Sequence, residues 1–137
     1  MTVAVCISDG GGMLFNKRRQ SKDKTVTEDI LKQAGEKKIL ISEFSLPIFS
    51  EYSERVIDVS DPLAVAENGD FVFVEDRKIL EHKSKIEEIY IYRWNRKYPF
   101  DFKLDFDPSE EGMYLAEVVE FAGNSHEKIT RELWQYR

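Results

Sequence analysis

The stretch GDFVFVEDRKILEHKSKIEEIYIYRW, residues 69–94, decides the fold class. Phe71-Val72-Phe73-Val74 is apolar at every position, so it reads as a strand covered on both faces rather than a half-exposed one. Residues 77–85 are expected to be helical, with Ile79 and Leu80 facing inward, and residues 86–94 extend again as a strand. Fully buried strands separated by short helices belong to α/β domains.

The flanks extend this pattern. Residues 3–8 form a β-branched run closed by Asp9-Gly10-Gly11-Gly12, a strand ending in a turn. A helix is expected over 25–34, capped by Thr27, with Glu28 and Asp29 at its positive end and Gly35 stopping it. Ile39-Leu40-Ile41 marks a buried strand over 38–42, residues 51–54 a helical turn, and 56–59 another short strand. Asp61-Pro62 opens a short helix that ends at Asn68-Gly69. Towards the C-terminus, 100–106 alternates apolar and polar and 113–121 extends again. In SHEKITRELWQYR, residues 125–137, Ile129, Leu133 and Tyr136 fit a helix while the alternation also fits a strand. With no repeat, low-complexity tract or linker, residues 1–137 are expected to form a single globular domain. Its class is α/β: a mixed, mostly parallel β-sheet with flanking helices and a β-rich C-terminal third.

Composition limits the function. At 137 residues with 42% apolar and 12% aromatic side chains, the chain has the material for one folded core. The single cysteine, Cys6, lies in Val3-Ala4-Val5-Cys6-Ile7, which excludes an internal disulfide framework and suggests a core thiol rather than a nucleophile. No apolar run approaches the roughly 20 residues of a membrane span. No cationic region precedes the first apolar stretch, so no signal peptide is expected and the location expected is cytoplasmic. Between residues 17 and 24, five basic residues against Asp23 give +4, leaving −10 for the rest of a chain whose total is −6. Residues 105–120 hold six acids and no base. Such a field repels phosphate, which disfavours general nucleic-acid binding and favours a basic protein surface as partner.

The order of elements resembles dihydrofolate reductase. Gly11, Met13 and Asn16-Lys17 fall where that family has its glycine-containing loop, and KKILIS, residues 37–42, where it has its second strand. Residues 69–94 are similar to its strand, cofactor loop, helix and next strand, and the C-terminal third to its closing antiparallel strands. The resemblance implies that fold. The family's chemistry is another matter. Arg18-Arg19-Gln20 stands where Leu-Pro-Trp would, and Ser42-Glu43-Phe44-Ser45 where Gly-Arg-x-Thr would hold a cofactor phosphate. Glu75-Asp76 replaces the Gly-Gly that lets backbone approach a pyrophosphate, and a carboxylate repels what a guanidinium would pair. Only Glu28 or Asp29 matches the family's helix-start carboxylate. The expectation is a retained fold that has lost NADPH, with no cofactor.

GGMLFNKRRQS, YRWNRKYP and FAGNSHEKIT also resemble small bacterial proteins often labelled ribonuclease Z. That enzyme needs a His-x-His-x-Asp-His metal cluster, and His82 and His126 are the only histidines here, so a zinc hydrolase is not expected.

Arg18 and Arg19 with Ser21 could hold phosphate, but the run lacks Gly-Lys-Ser/Thr, and a solvated loop balancing nearby acids explains it as well. Arg93, Trp94 and Arg96 have the make-up of a contact surface, or of packing with paired arginines. Asp105, Asp107, Glu110 and Glu111 form either a partner-facing acidic patch or a solvated edge. His126, in a turn, is expected at the surface or near a cap. Alternatively it serves with Arg18 and Arg19 as the acid/base of a metal-independent nuclease. The first functional expectation is a non-enzymatic factor that binds a nucleic-acid-processing protein as an inhibitor or immunity-type protein; the alternative is that small nuclease or nucleotide-acting enzyme.

Overall fold

The strand pattern of residues 69–94 is realised at the centre of the sheet. A computed structural model describes all 137 residues. Its elements are β1 (Thr2–Ile7), β2 (Gly12–Phe15), β3 (Arg18–Arg19), α1 (Lys24–Ala34), β4 (Ile39–Ile41), β5 (Val56–Asp58), α2 (Pro62–Val65), β6 (Phe71–Phe73), β7 (Glu88–Arg93), β8 (Phe102–Lys103), β9 (Met113–Phe121) and β10 (Ile129–Tyr136). Seven strands form the main sheet in the order β5-β4-β6-β1-β7-β10-β9. The first five run parallel. β10 is antiparallel to β7 and pairs with β9 in a hairpin. β3, β2 and β8 make a small antiparallel sheet beside it. This is the mixed, mostly parallel α/β architecture expected.

The central strands are apolar on both faces because both are covered. Val3, Val5, Val72, Ile89 and Ile91 pack with Leu63, Ile79, Ile86 and Phe106 on one side. Ala4, Phe71, Phe73, Tyr90 and Tyr92 pack beneath Val26, Ile30 and Leu31 of α1 on the other. Each such aliphatic or aromatic side chain contributes about 1.5–3 kcal/mol on burial. No helix is long and apolar enough to cross a membrane.

Several local expectations change. Residues 77–85 are not a regular helix: a 3₁₀ segment begins only at Leu80 and breaks at His82. Ile79 is fully buried, but Leu80 is 39% exposed rather than inward. The Asp105 carboxylate accepts the N–H groups of both, at 2.8 and 3.3 Å, and so fixes the chain before a helical turn can form. The helical turn at 51–54 belongs to a longer 3₁₀ segment, Glu43–Arg55, kinked at Phe49 and Tyr52. Of residues 100–106 only Phe102–Lys103 is strand. The C-terminal run is a strand, not a helix, because it fills the slot between β7 and β9. Asn16 and Lys17, both at positive φ, make the two-residue turn joining β2 to β3, a hairpin the sequence reading lacked. The cap of α1 is Asp23, not Thr27: the Thr25 N–H donates to Asp23 Oδ1 at 2.9 Å, while Thr27 lies one turn inside and buried.

Candidate functional site

Parallel strands bring their carboxyl ends to one edge, where open α/β sheets ordinarily hold ligands. Here that edge gathers Cys6 near the end of β1, Ser42 after β4, Glu75 after β6 and Trp94 after β7. The chain's own side chains fill its middle, between Cys6, Glu75 and Trp94.

The first cluster is an ion pair. Arg19, at the end of the β2–β3 hairpin, turns inward and donates from Nε to Glu75 Oε2 and from Nη2 to Glu75 Oε1, both at 3.0 Å. Ser45 Oγ donates to Glu75 Oε1 at 2.7 Å, and Arg19 Nη2 also reaches the Phe44 carbonyl at 2.7 Å. The guanidinium lies over the Phe44 ring, 4.7 Å from its centroid. Planar bidentate geometry suits arginine and carboxylate, and with most of both groups out of water the pair is held firmly.

The second cluster centres on Asp23. Its Oδ2 accepts from His126 Nδ1 at 2.8 Å and from the Ser125 N–H at 2.8 Å; its Oδ1 accepts from the N–H groups of Asn124 and Thr25. Burial alone would raise this carboxyl. The Asn124 N–H, the His126 ring and the Ser125 and Thr25 N–H groups outweigh it and hold the group well below the usual carboxylate range. The other His126 nitrogen, Nε2, meets Ser21 Oγ at 2.9 Å and Tyr98 Oη at 3.2 Å. The imidazole stacks on Trp94 at 4.7 Å. The cluster thus ties the start of α1, the β9–β10 turn and the segment after β7 together.

Cys6 lies between the clusters. Burial, then the charges of Glu75 and Asp23, push its thiol well above the ordinary range, so it stays protonated and is a poor nucleophile. The space bordered by Cys6, Ser21, Asp23, Phe73, Glu75 and Trp94 has a volume of only about 10 Å³, room for a single water at most. Larger openings lie outside it. One of about 280 Å³ runs between the start of α1 and the Glu43–Arg55 segment, past Lys22, Ile48, Tyr52 and Asn124. Another, about 550 Å³ and open, lies beyond β4 and β5. Glu43, Asp58 and Asp76 line it against Arg77, whose Nε already donates to Asp76 Oδ1 at 3.1 Å. An anionic group entering there would meet more carboxylate than free cation.

Gly123 is part of the second cluster because of its size. A Cβ at that position would lie 2.6 Å from Asp23 Oδ2 and 3.0 Å from the His126 carbonyl. Gly123→Ala is expected to lower stability by about 1–3 kcal/mol through overpacking. Urea unfolding checks this, and a shift below experimental scatter would show that the turn moves freely.

The residues singled out from sequence are dispersed. Arg19 pairs with Glu75, whereas Arg18 is exposed on the hairpin. His126 is not at the surface but 6% exposed, and it buttresses the cap through Asp23. Its polar partners and those of Arg19 are different groups, but Ser21 and Trp94, which touch His126, also border the small space beside Arg19 and Glu75. Trp94, left open between a contact surface and packing, is buried against His126. Arg93 forms a bidentate pair with Glu132 at 2.8 and 3.2 Å, and Arg96 is exposed. Asp105 fixes Ile79 and Leu80, Asp107 accepts from Ser109, Glu111 pairs with Lys83, and Glu110 is exposed. Asp23, Ser21, Tyr98 and Ser45 were not anticipated. Asp23 alone carried a signal, being a preferred cap residue directly before the helix.

No family model and no curated protein matches the chain. Among solved structures, dihydrofolate reductase from Enterococcus faecalis, complexed with NADP(H) and RAB-propyl, is similar with a TM-score of 0.69. The match covers 98% of this chain and 95% of that one at 7% identity. The fold is therefore dihydrofolate-reductase-like. A likeness to ribonuclease Z is not shown by this match.

Proposed function

We propose that this chain is a non-enzymatic protein-binding factor on a dihydrofolate-reductase-like fold. It would engage a basic, nucleic-acid-processing enzyme as an inhibitor or immunity-type protein, in the manner of an anti-CRISPR or antitoxin. The observation that carries this reading is the Arg19–Glu75–Ser45 cluster, which occupies the sheet edge where a ligand would otherwise sit. The acidic balance outside residues 17–24 supports a basic partner. The test is capture with the immobilised protein from its native host, followed by reconstitution from purified components. A stoichiometric complex that suppresses the partner's activity is expected. The reading fails if no complex forms and the purified protein itself turns over RNA.

The alternative nuclease rests on one specific observation: an imidazole oriented by Asp23, with Ser21 and Tyr98 at its other nitrogen. It requires Arg19 to leave Glu75. His126→Ala would then abolish RNA cleavage in a protein that remains folded, and unchanged cleavage in that variant removes the nuclease.

A further inference from the structure

Ser21, His126 and Asp23 lie along one line of hydrogen bonds. Ser21 Oγ is 2.9 Å from His126 Nε2, and His126 Nδ1 is 2.8 Å from Asp23 Oδ2. The protons along it follow from the chemistry. The Asp23 carboxyl is held well below the usual range, so it is ionised and only accepts. The hydrogen of that bond therefore sits on Nδ1, and in the neutral ring Nε2 is the acceptor. Of the two hydroxyls that meet Nε2, Ser21 is the nearer, with Tyr98 Oη at 3.2 Å. Stacking on Trp94 holds the ring in place. A hydroxyl, an imidazole base and a carboxylate that orients it are the parts of an activated serine, and they are recognised by geometry rather than sequence order. His126 and Asp23 are buried, whereas Ser21 is only partly so, which makes the hydroxyl the solvent-side member. The N–H groups of Ser21 and Lys22 have no hydrogen-bond partner within the chain, leaving two donors beside the hydroxyl for a developing oxyanion. The inner spaces bordering Ser21 measure about 10 Å³ each, so a group attached to its oxygen stays on the solvent side.

We propose that Ser21 is an acyl-acceptor site that takes the acyl group of an activated carboxylic ester, with His126 as its base and Asp23 as the positioning residue. The bond from Ser21 Oγ to the carbonyl carbon forms as the bond from that carbon to the leaving oxygen breaks. The Oγ proton passes to His126 Nε2 and from there to the departing oxygen. The product is a chain acylated once, at Ser21. This is a modification of the protein. It goes beyond the protein-binding reading and does not depend on it.

The probe is 4-nitrophenyl acetate, added to the full chain. A burst of one equivalent of nitrophenolate is expected, with the acetyl group located on Ser21 by peptide mass spectrometry. Ser21→Ala, checked for folding by circular dichroism, should lose the burst. His126→Gln should slow acetylation of Ser21 about 100-fold, the scale of a positioned general base. Acetylation of the exposed Lys17 in the same samples is the internal reference. Loss of the base lowers Ser21 relative to Lys17, whereas loosening of the fold does not. Acetyl groups on lysines alone, Ser21 reacting no faster than the exposed Ser109, or equal acetylation of Ser21 in wild type and His126→Gln overturns the proposal. Release that continues past the first equivalent, and is lost in Ser21→Ala, would keep the assignment and make the chain an esterase, against the non-enzymatic reading. An unreactive Ser21 leaves the protein-binding reading standing, and a failed partner capture leaves this site standing.

Discussion

Asp23→Ala is expected to lower folding stability by about 2–4 kcal/mol, combining a lost helix cap with buried donors left unpaired. The carboxylate accepts from three backbone N–H groups and the His126 ring, and its side chain is fully buried. Water cannot replace it without opening the β9–β10 turn. Urea unfolding of wild type and variant gives the difference directly, and a loss below about 1 kcal/mol would mean that a cap alone was removed. Asp23→Asn keeps the shape but turns one acceptor into a donor facing donors, so it too should be destabilising. The pH dependence has a definite sign. The folded-state carboxyl is held well below its unfolded value of about 4. Its stabilisation is therefore complete above that value and declines as pH falls towards the folded one. The gap between wild type and Asp23→Asn should narrow on acidification below about pH 4. A gap that widens there would contradict the assignment.

Arg19→Ala should cost about 3–5 kcal/mol, since it strands Glu75 as a buried charge. The Glu75 side chain is 10% exposed and keeps only Ser45 as a donor. Arg19→Met combined with Glu75→Gln removes both charges, retains an acceptor for Ser45 and should recover most of the loss. Additive losses in the double variant would show that the two residues act independently. The recovered variant would separate closure of the crevice from charge, because methionine fills the space without the ion pair.

The architecture was legible where local pattern and tertiary demand agree. Phe71-Val72-Phe73-Val74 and Ile89-Tyr90-Ile91-Tyr92 are apolar on both faces, and only a sheet covered on both sides meets that. Residues 77–85 misled because Ile79 and Leu80 alone suggested a helical face, while Asp105, 26 residues away, decides their backbone. Residues 125–137 were undecidable locally, and pairing with β7 settled them as strand. The clusters at the sheet edge were less visible. Asp23 and His126 are 103 residues apart and Arg19 and Glu75 56 apart, and no spacing rule links such pairs. The basic run was open between a phosphate loop and a loop balancing nearby acids for the same reason: the acid that Arg19 serves lies beyond β6.

The central proposal is that the Arg19–Glu75 ion pair and the acids around the neighbouring opening at the carboxyl edge keep a dinucleotide out. Calorimetric titration of the purified protein with NADPH, alone and with dihydrofolate present, tests it most directly. The account predicts heats no greater than dilution and no oxidation of the nucleotide. A saturable binding isotherm, or dihydrofolate-dependent oxidation, would contradict it.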